Sequence, residues 1–306
     1  MKRWIAECAA LVVLVVVAPT SVRAQEKYTI KLKEVGIGDT LRTESKETTV
    51  TKSQTIGEKD KQPGKTTEEK LTRDLLFLET VVERPAAQKM PTKIKRVYEK
   101  ATLTPFMGGA AGDAKPQAYH GKTVLIEKKQ AGYVFRIEGG DAFKDSTLDN
   151  EFNGGQQESH KRLFLPSQPV AVGDTWKVDT APLLHGFKQD EKVTVKKAEG
   201  TGKLVKVYKK DGRQFGVIET AIAMEFTVEV KEADPKTKGT LSAAQKLTMK
   251  VTFDGCVDGT LAEGRVDSSS EYHSTSVFRA PDNPAVTFVT SGTTTGQDNW
   301  VEMAKK

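Results

Sequence analysis

Alternation with a period of two runs through most of this chain. In "AIAMEFTVEV" (221–230), Ile222, Met224, Phe226, Val228 and Val230 share one parity, while Glu225, Thr227 and Glu229 take the other. In "TLSAAQKLTMKVTF" (240–253), Leu241, Ala243, Leu247, Met249, Val251 and Phe253 repeat the arrangement. A strand with one buried face writes this pattern, because successive side chains point to opposite sides. Between the two runs lies "KEADPKTKG", whose Pro235 and Gly239 supply a turn. The pair is therefore predicted to be a hairpin with arms of about 12 residues, against a usual strand of ~5–6. "YTIKLKEV" (28–35) carries the same alternation through Tyr28, Ile30 and Leu32.

Two further hairpins follow from turn chemistry. "GKLVKVYKKDGRQFGVIE" folds back at Asp211-Gly212, where both residues tolerate positive φ. "GKTVLIEKKQAGYVFRIEGG" folds back at Gln130-Ala131-Gly132 and resembles the first hairpin in outline. "GEKDKQPGK" (57–65) reads as an exposed tip, and "PFMGGAAGDAKPQAYHG" (105–121) as a loop. Helix is scarce. The one candidate is "DAFKDSTLDNEF", near 141–153, with Asp141 as cap, Phe143, Leu148 and Phe152 facing the core, and Gly154-Gly155 as its end. The fold class expected is all-β: long antiparallel strands in one or two curved sheets of the half-barrel or roll type, with one short helix.

The start of the chain has another pattern. Lys2 and Arg3 precede the apolar "IAECAALVVLVVVA", and "SVRA" closes it with small residues at Val22 and Ala24. This is the pattern of an export signal cut after Ala24, and the apolar run is short for a membrane span. The organisation expected is a signal peptide at 1–24, an N-terminal sheet half at 25–140, a helix and linker at 141–168, and a C-terminal sheet half at 169–306. The protein is expected to be exported, periplasmic or extracellular, with no transmembrane segment after cleavage. Cys256 would then be its only cysteine, so no internal disulfide can form, and a small buried side chain is its expected role.

Composition narrows the function. The net charge is +6, with Lys and Arg interleaved among Asp and Glu as in "KEVGIGDTLRTESKE". Nucleic acid binding needs clustered cations, so none is expected. His120, His160, His185 and His273 stand at no metal-ligand spacing from one another. "DGCVDGTLAEGR" offers Asp254, Asp258 and Gly259 at calcium-loop positions but places Cys256 and Arg265 where ligands are required, so tight turns explain it better. No nucleophile elbow or phosphate loop occurs, and Ser270, Glu271 and His273 are neighbours that a strand points to opposite faces. The reading is a non-enzymatic protein with no catalytic, cofactor-binding or metal residues and no cofactor. Trp176, Phe187, Phe226, Phe253 and Phe278 are candidates either for a core or for the lining of a concave cavity.

One motif is written twice. "PVAVGDTWKVD" (169–179) is echoed by "VGIGDTLRTE" (35–44). Its expected role is to start a strand: Pro169 and Gly173 frame a turn, Asp174 bonds nearby backbone N–H groups, and Trp176 enters the core, as Leu41 would after Gly38-Asp39. The stretch "LFLPSQPVAVGDTW", through Pro169, Val170, Gly173, Asp174 and Trp176, also resembles a loosely defined family of exported bacterial β-rich proteins of unknown function with an L-P-x-x-P-V-x-x-G-D-x-W motif. "VTFDGCVDGTLAEGRVDSS" is similar to a later strand pair of that family. The resemblance implies a β-rich envelope protein and carries no activity or site residues. The leading expectation is an envelope protein binding an apolar ligand, such as a lipid, or a partner protein within a curved sheet. The alternative is a structural or interaction protein of the cell surface acting through exposed strand edges.

Overall fold

The computed structural model describes residues 25–57, 64–86, 90–107, 110–130, 132–153, 164–184, 191–234, 239–279 and 285–304. The export signal expected at 1–24, most of the 57–65 tip, Phe187, His160 and His185 lie outside these residues. The described chain forms β1 (Lys27–Tyr28), β2 (Thr40–Gly57), β3 (Thr67–Glu83), β4 (Lys93–Met107), β5 (Ala110–Ala111), β6 (Lys115–Pro116), β7 (Thr123–Lys129), β8 (Gly132–Ile137) and β9 (Ala142–Phe143). Helix α1 (Ser146–Asn153) follows, then β10 (Val170–Ala171), β11 (Thr175–Lys177) and a 3-10 turn at Ala181–Leu184. Five long strands complete it: β12 (Glu191–Lys210), β13 (Arg213–Asp234), β14 (Gly239–Cys256), β15 (Glu263–Arg279) and β16 (Val286–Glu302).

Fourteen strands make one antiparallel sheet in the order β11-β12-β13-β14-β15-β16-β2-β3-β4-β7-β8-β9, with β5 and β6 folded back on β4. The sheet does not close into a barrel. β1 and β10 form a separate two-stranded pair. The fold class read from alternation is therefore present as a single continuous sheet. The two halves are fused because β16 pairs with β2 from Val286↔Gly57 to Glu302↔Leu41. Such a long-range pairing has no local sequence signature.

The strands exceed expectation. β13 has 22 residues and β14 has 18, against the 12 read from apolar parity. Alternation ends where burial ends, but backbone pairing continues through polar residues. Asp211 (φ 51°) and Gly212 (φ 75°) form the two-residue loop between Lys210 and Arg213, the twist-matched turn expected there. The loop at 105–121 proves to contain β5 and β6. The helix begins later than 141, because Ala142–Phe143 pairs with β8. Asp145, not Asp141, caps it, accepting from the N–H groups of Thr147 and Leu148 at 3.0 Å.

Side chains are buried in three places, all on one face of the sheet. Leu148 and Phe152 of α1 pack with Leu75, Phe77, Tyr98, Ile126, Tyr133 and Phe135, and Phe143 joins them. Residues 25–39 and the start of β10 cover Leu204, Ile218, Phe253 and Trp300. Phe164, Val178 and Leu183 cover Ile222, Met224, Phe226 and Val228. Between these caps, among the described residues, β15 and β16 make no substantial contact with any element except their ladder neighbours. Among the described residues, the middle of the sheet is a single layer.

Arg96 fastens the helix to the sheet. Its guanidinium lies 4.5 and 4.9 Å from the ring centres of Phe77 and Phe152, donates to Glu79 at 2.6 Å, and makes a bidentate pair with Glu151 of α1 at 2.5 and 3.0 Å. Arg96 is buried, so its charge depends on these two carboxylates for balance. Arg96→Ala should lower unfolding stability by about 1.5–3 kcal/mol, because it deletes the charge-assisted hydrogen bonds that tie α1 to the sheet. Urea unfolding followed by circular dichroism measures this.

Candidate functional site

The repeated motif builds the same object twice. In the first copy the Asp39 carboxylate accepts from Gly36 N–H at 2.8 Å, and Asp39 N–H donates to Gly36 C=O at 3.1 Å. In the second, the Asp174 carboxylate accepts from Ala171 N–H at 2.9 Å, and Asp174 N–H donates to Ala171 C=O at 3.0 Å. Gly38 (φ 81°) and Gly173 (φ 94°) take the left-handed position that each turn requires. Each turn then docks on one residue of the next strand. Gly38 N–H donates to Val81 C=O while Val81 N–H donates to Asp39 C=O; Gly173 and Asp174 treat Leu204 identically. One residue further on, Thr40 pairs with Thr80 and Thr175 with Lys203.

The motif residues are thereby placed. Val170 is buried in β10 and pairs with Tyr28. Pro169 is exposed, at the entry to the turn. Leu41 and Trp176 both pack on the cluster under residues 25–39. Trp176 is half-buried rather than enclosed, since β11 is the edge of the sheet. Its ring lies across Gly202, and its indole N–H donates to Phe164 C=O at 3.0 Å. These groups bond to one another and present nothing to a ligand.

The aromatic residues read as a possible cavity lining are dispersed. Phe226 and Phe253 are buried in different clusters. Phe278 covers Gly239, whose added Cβ would stand 2.2 Å from the ring. Gly264 is likewise covered by Trp300, and Gly292 by Tyr272. Glycine on one strand leaves room for a ring from the next to lie flat, which fixes the register of strands that lack apolar alternation.

The loop after β14 is tied to protein donors. Asp258 accepts from Thr260 Oγ1 at 2.6 Å, Gln214 N–H and Thr260 N–H at 2.9 Å, and the Cys256 thiol at 3.1 Å. Burial pushes its carboxyl up, but these four hydrogen bonds more than offset that and hold it well below the usual carboxylate range. Cys256 is a buried thiol. Asp254 accepts from Tyr208 Oη at 2.6 Å, and desolvation followed by that bond raises the phenol to about 12.

Two surfaces remain open. On one face, a shallow cavity of about 330 Å³ is lined by Arg42, Glu44, Tyr208, Lys210, Asp254 and Arg265, among others. Its charges are mostly paired: Lys210 with Glu263 at 2.5 Å, and Arg265 with Asp267 at 2.8 and 2.9 Å. The same face carries Lys246–Glu225 and Lys52–Glu68 pairs across neighbouring strands, so it is a charged face throughout.

The opposite face, the one that bears the three cores, is different in its middle. The register places Ser270, Thr294 and Thr49 in one row, then Tyr272, Gly292 and Thr51, then Ser274, Thr290 and Ser53, then Ser276, Phe288 and Thr55. Hydroxyls meet across strands here, Thr49 with Thr294 at 3.2 Å and Tyr272 with Thr51 at 3.1 Å. From Ser270 to Ser276 and from Thr290 to Thr294 this face carries no ionised side chain. Sequence reading registered the serine-rich run at 267–276 only as strand-like. The row structure needs the register of three strands that no local pattern supplies.

No protein-family model and no curated protein matches the chain. Among solved structures it is similar in outline to an outer membrane channel from Pseudomonas putida F1 (8% identity, 89% of this chain and 97% of that one, TM-score 0.20). The Salmonella typhi OmpF complex with daunomycin gives 8% identity, 85% and 98% coverage and a TM-score of 0.21. OccK5 (OpdH) of Pseudomonas aeruginosa gives 8%, 86% and 98%, and 0.22. Scores this low carry nothing about function. A strand crossing lipid also needs an apolar outer row. β2 offers Thr43, Ser45, Glu47, Thr49 and Thr51 on one face and Arg42, Glu44, Lys46, Thr48 and Val50 on the other, so neither row is apolar.

Two measurements test these assignments. Trp176→Ala should cost about 3 kcal/mol, the low end for a large aromatic because the ring is half-buried. Asp258→Asn should cost ~1–3 kcal/mol at pH 6 by weakening acceptance from four donors. The wild-type carboxyl is depressed on folding, so its contribution is present above the ordinary carboxylate pKa and is lost as pH falls through and below that range. Urea midpoints of the two proteins should therefore converge in acid, and a constant gap would contradict the assignment.

Proposed function

We propose that this is an exported, non-enzymatic binding protein of the bacterial cell envelope, and that it engages its ligand on the broad face of the sheet. The observation that carries this reading is the single-layered middle of the molecule. β15 and β16 run 17 residues each, yet beyond the end that holds Val266 and Trp300 they contact little among the described residues besides their ladder neighbours. Folding gains little apolar burial from such a stretch. A surface maintained without a core beneath it is well suited to contact with something else.

The kind of ligand follows from what the surface lacks. Most of its large apolar rings are committed to the cores or laid over glycines, and Phe288 is the exception at 39% exposed, which weighs against a lipid pocket and in favour of a polar ligand. Edge pairing is also disfavoured. β12, whose outer side is open except where Thr201–Lys203 pair with β11, carries Lys192, Lys196, Lys197, Lys206, Lys209 and Lys210, and its pairing with β13 has bulges at Val195/Lys197 and Leu204/Lys206. Lysines and bulges are the devices that stop a strand edge from recruiting another chain. Export rests on the basic, apolar and small-residue sequence of 1–24.

Native mass spectrometry of the protein purified from its own host tests the reading. The expected result is a mature chain beginning at Gln25 that carries a polar ligand or a bound partner. A chain that keeps residues 1–24 and stays in the cytoplasm would overturn the export reading; a bound lipid as the dominant adduct would overturn the polar one.

A further inference from the structure

Resting on the binding reading above, the geometry points to a neutral linear polysaccharide, running along the strands, as the ligand of the hydroxyl-rich face. Three features of that face converge on this chemistry.

The first is charge. The opposite face pairs Lys with Glu or Asp across strand after strand, so a charged ligand would find partners there. On β15, β16 and β2 the rows from Ser270–Thr294–Thr49 to Ser276–Phe288–Thr55 hold hydroxyls and rings but no ionised group, and of the positions flanking them on β14 and β3 only Glu69, opposite Thr51, is charged. An uncharged ligand loses no ionic hydration on meeting such a surface, while an anion would be desolvated without compensation and would also face Glu69.

The second is hydrogen bonding. Ser and Thr hydroxyls each donate once and accept through two lone pairs, so they match the hydroxyls of a sugar, which do the same. The contacts within the field, such as Ser274 with Ser276 at 3.3 Å, leave further lone pairs for a ligand.

The third is the pair of rings. Tyr272 reaches across Gly292, with that glycine's absent Cβ position 2.5 Å from the ring, and its hydroxyl meets Thr51 Oγ1 at 3.1 Å. Tyr272 is half-buried and belongs to none of the three cores. Phe288 is 39% exposed on the same face, four residues before Gly292 on β16. At ~3.3 Å per residue the two rings stand roughly 13 Å apart along the strand. Sugar rings present C–H faces that stack on aromatic rings, and a chain laid along β16 would meet Tyr272 and Phe288 a few sugar units apart. The hydroxyls of Ser274, Thr290, Ser276 and Ser53 lie between them.

Calorimetric titration of the purified protein with cellohexaose and with chitohexaose, both uncharged linear glycans, tests this. Binding of at least one is expected, weakened at least tenfold in Phe288→Ala and in Tyr272→Ala and less than threefold in Tyr272→Phe, which keeps the ring. Phe288 is exposed enough that its removal should leave the thermal unfolding curve in place, so its loss of binding is not a loss of fold. Failure of both hexasaccharides to bind, or binding indifferent to Phe288→Ala and Tyr272→Ala, overturns the glycan assignment. If in that case a polar non-glycan ligand or a protein co-purifies from the host, the broader binding reading stands without it.

Discussion

Everything in this molecule depends on the backbone ladder between β16 and β2. It joins the last long strand to the first across seventeen residue pairs, and it crosses the part of the sheet with the least side-chain burial. Where apolar packing is thin, the N–H and C=O groups must be satisfied by one another or by water. The ladder satisfies them along its whole length and turns two sheet halves into one surface. The three cores then act at the margins, holding the caps formed by α1, residues 25–39 and residues 164–184.

This division of labour explains why the two faces differ. One face bears all three cores and, between them, mainly small hydroxyl side chains and glycines over which rings can lie, with the Glu47–Arg73 pair and Glu69 as its charges on β2 and β3. The other has long charged side chains that pair across strands and stay in water. Exposed pairs of that kind contribute little to stability, typically under ~1 kcal/mol each. Their value is solubility for a broad sheet whose faces would otherwise invite association.

How much of this was legible follows the burial. The hairpin of β13 and β14 could be read because Ile222, Met224, Phe226 and Val228 press on a core and must alternate with polar residues. The turn at Asp211-Gly212 could be read because its φ values restrict residue choice. β2, β15 and β16 were nearly silent, since Ser and Thr stand on both of their faces and give no parity. The helix was seen about five residues too early, because Asp141 and Asp145 are equal as caps until β9 claims Ala142 and Phe143. The doubled Gly-Asp turn was read from its residues alone. The row of Tyr272, Gly292 and Thr51 was not, because three distant segments must be aligned before it exists.

The two Gly-Asp turns carry a consequence for how the chain finds its alignment. A strand such as β2, with Thr at 48, 49 and 51, could slide by one position along β3 with little change in contact energy. Such a slip would exchange its faces entirely, putting Lys46 and Lys52 where Ser45 and Ser53 belong. The turn at Gly36–Asp39 forbids it by gripping Val81 from both sides before the ambiguous stretch begins. The repeated motif therefore serves as an index mark at the start of a ruler that carries few graduations of its own. The chemical identity of the far end of each face is decided some fifteen residues away, by one glycine and one carboxylate.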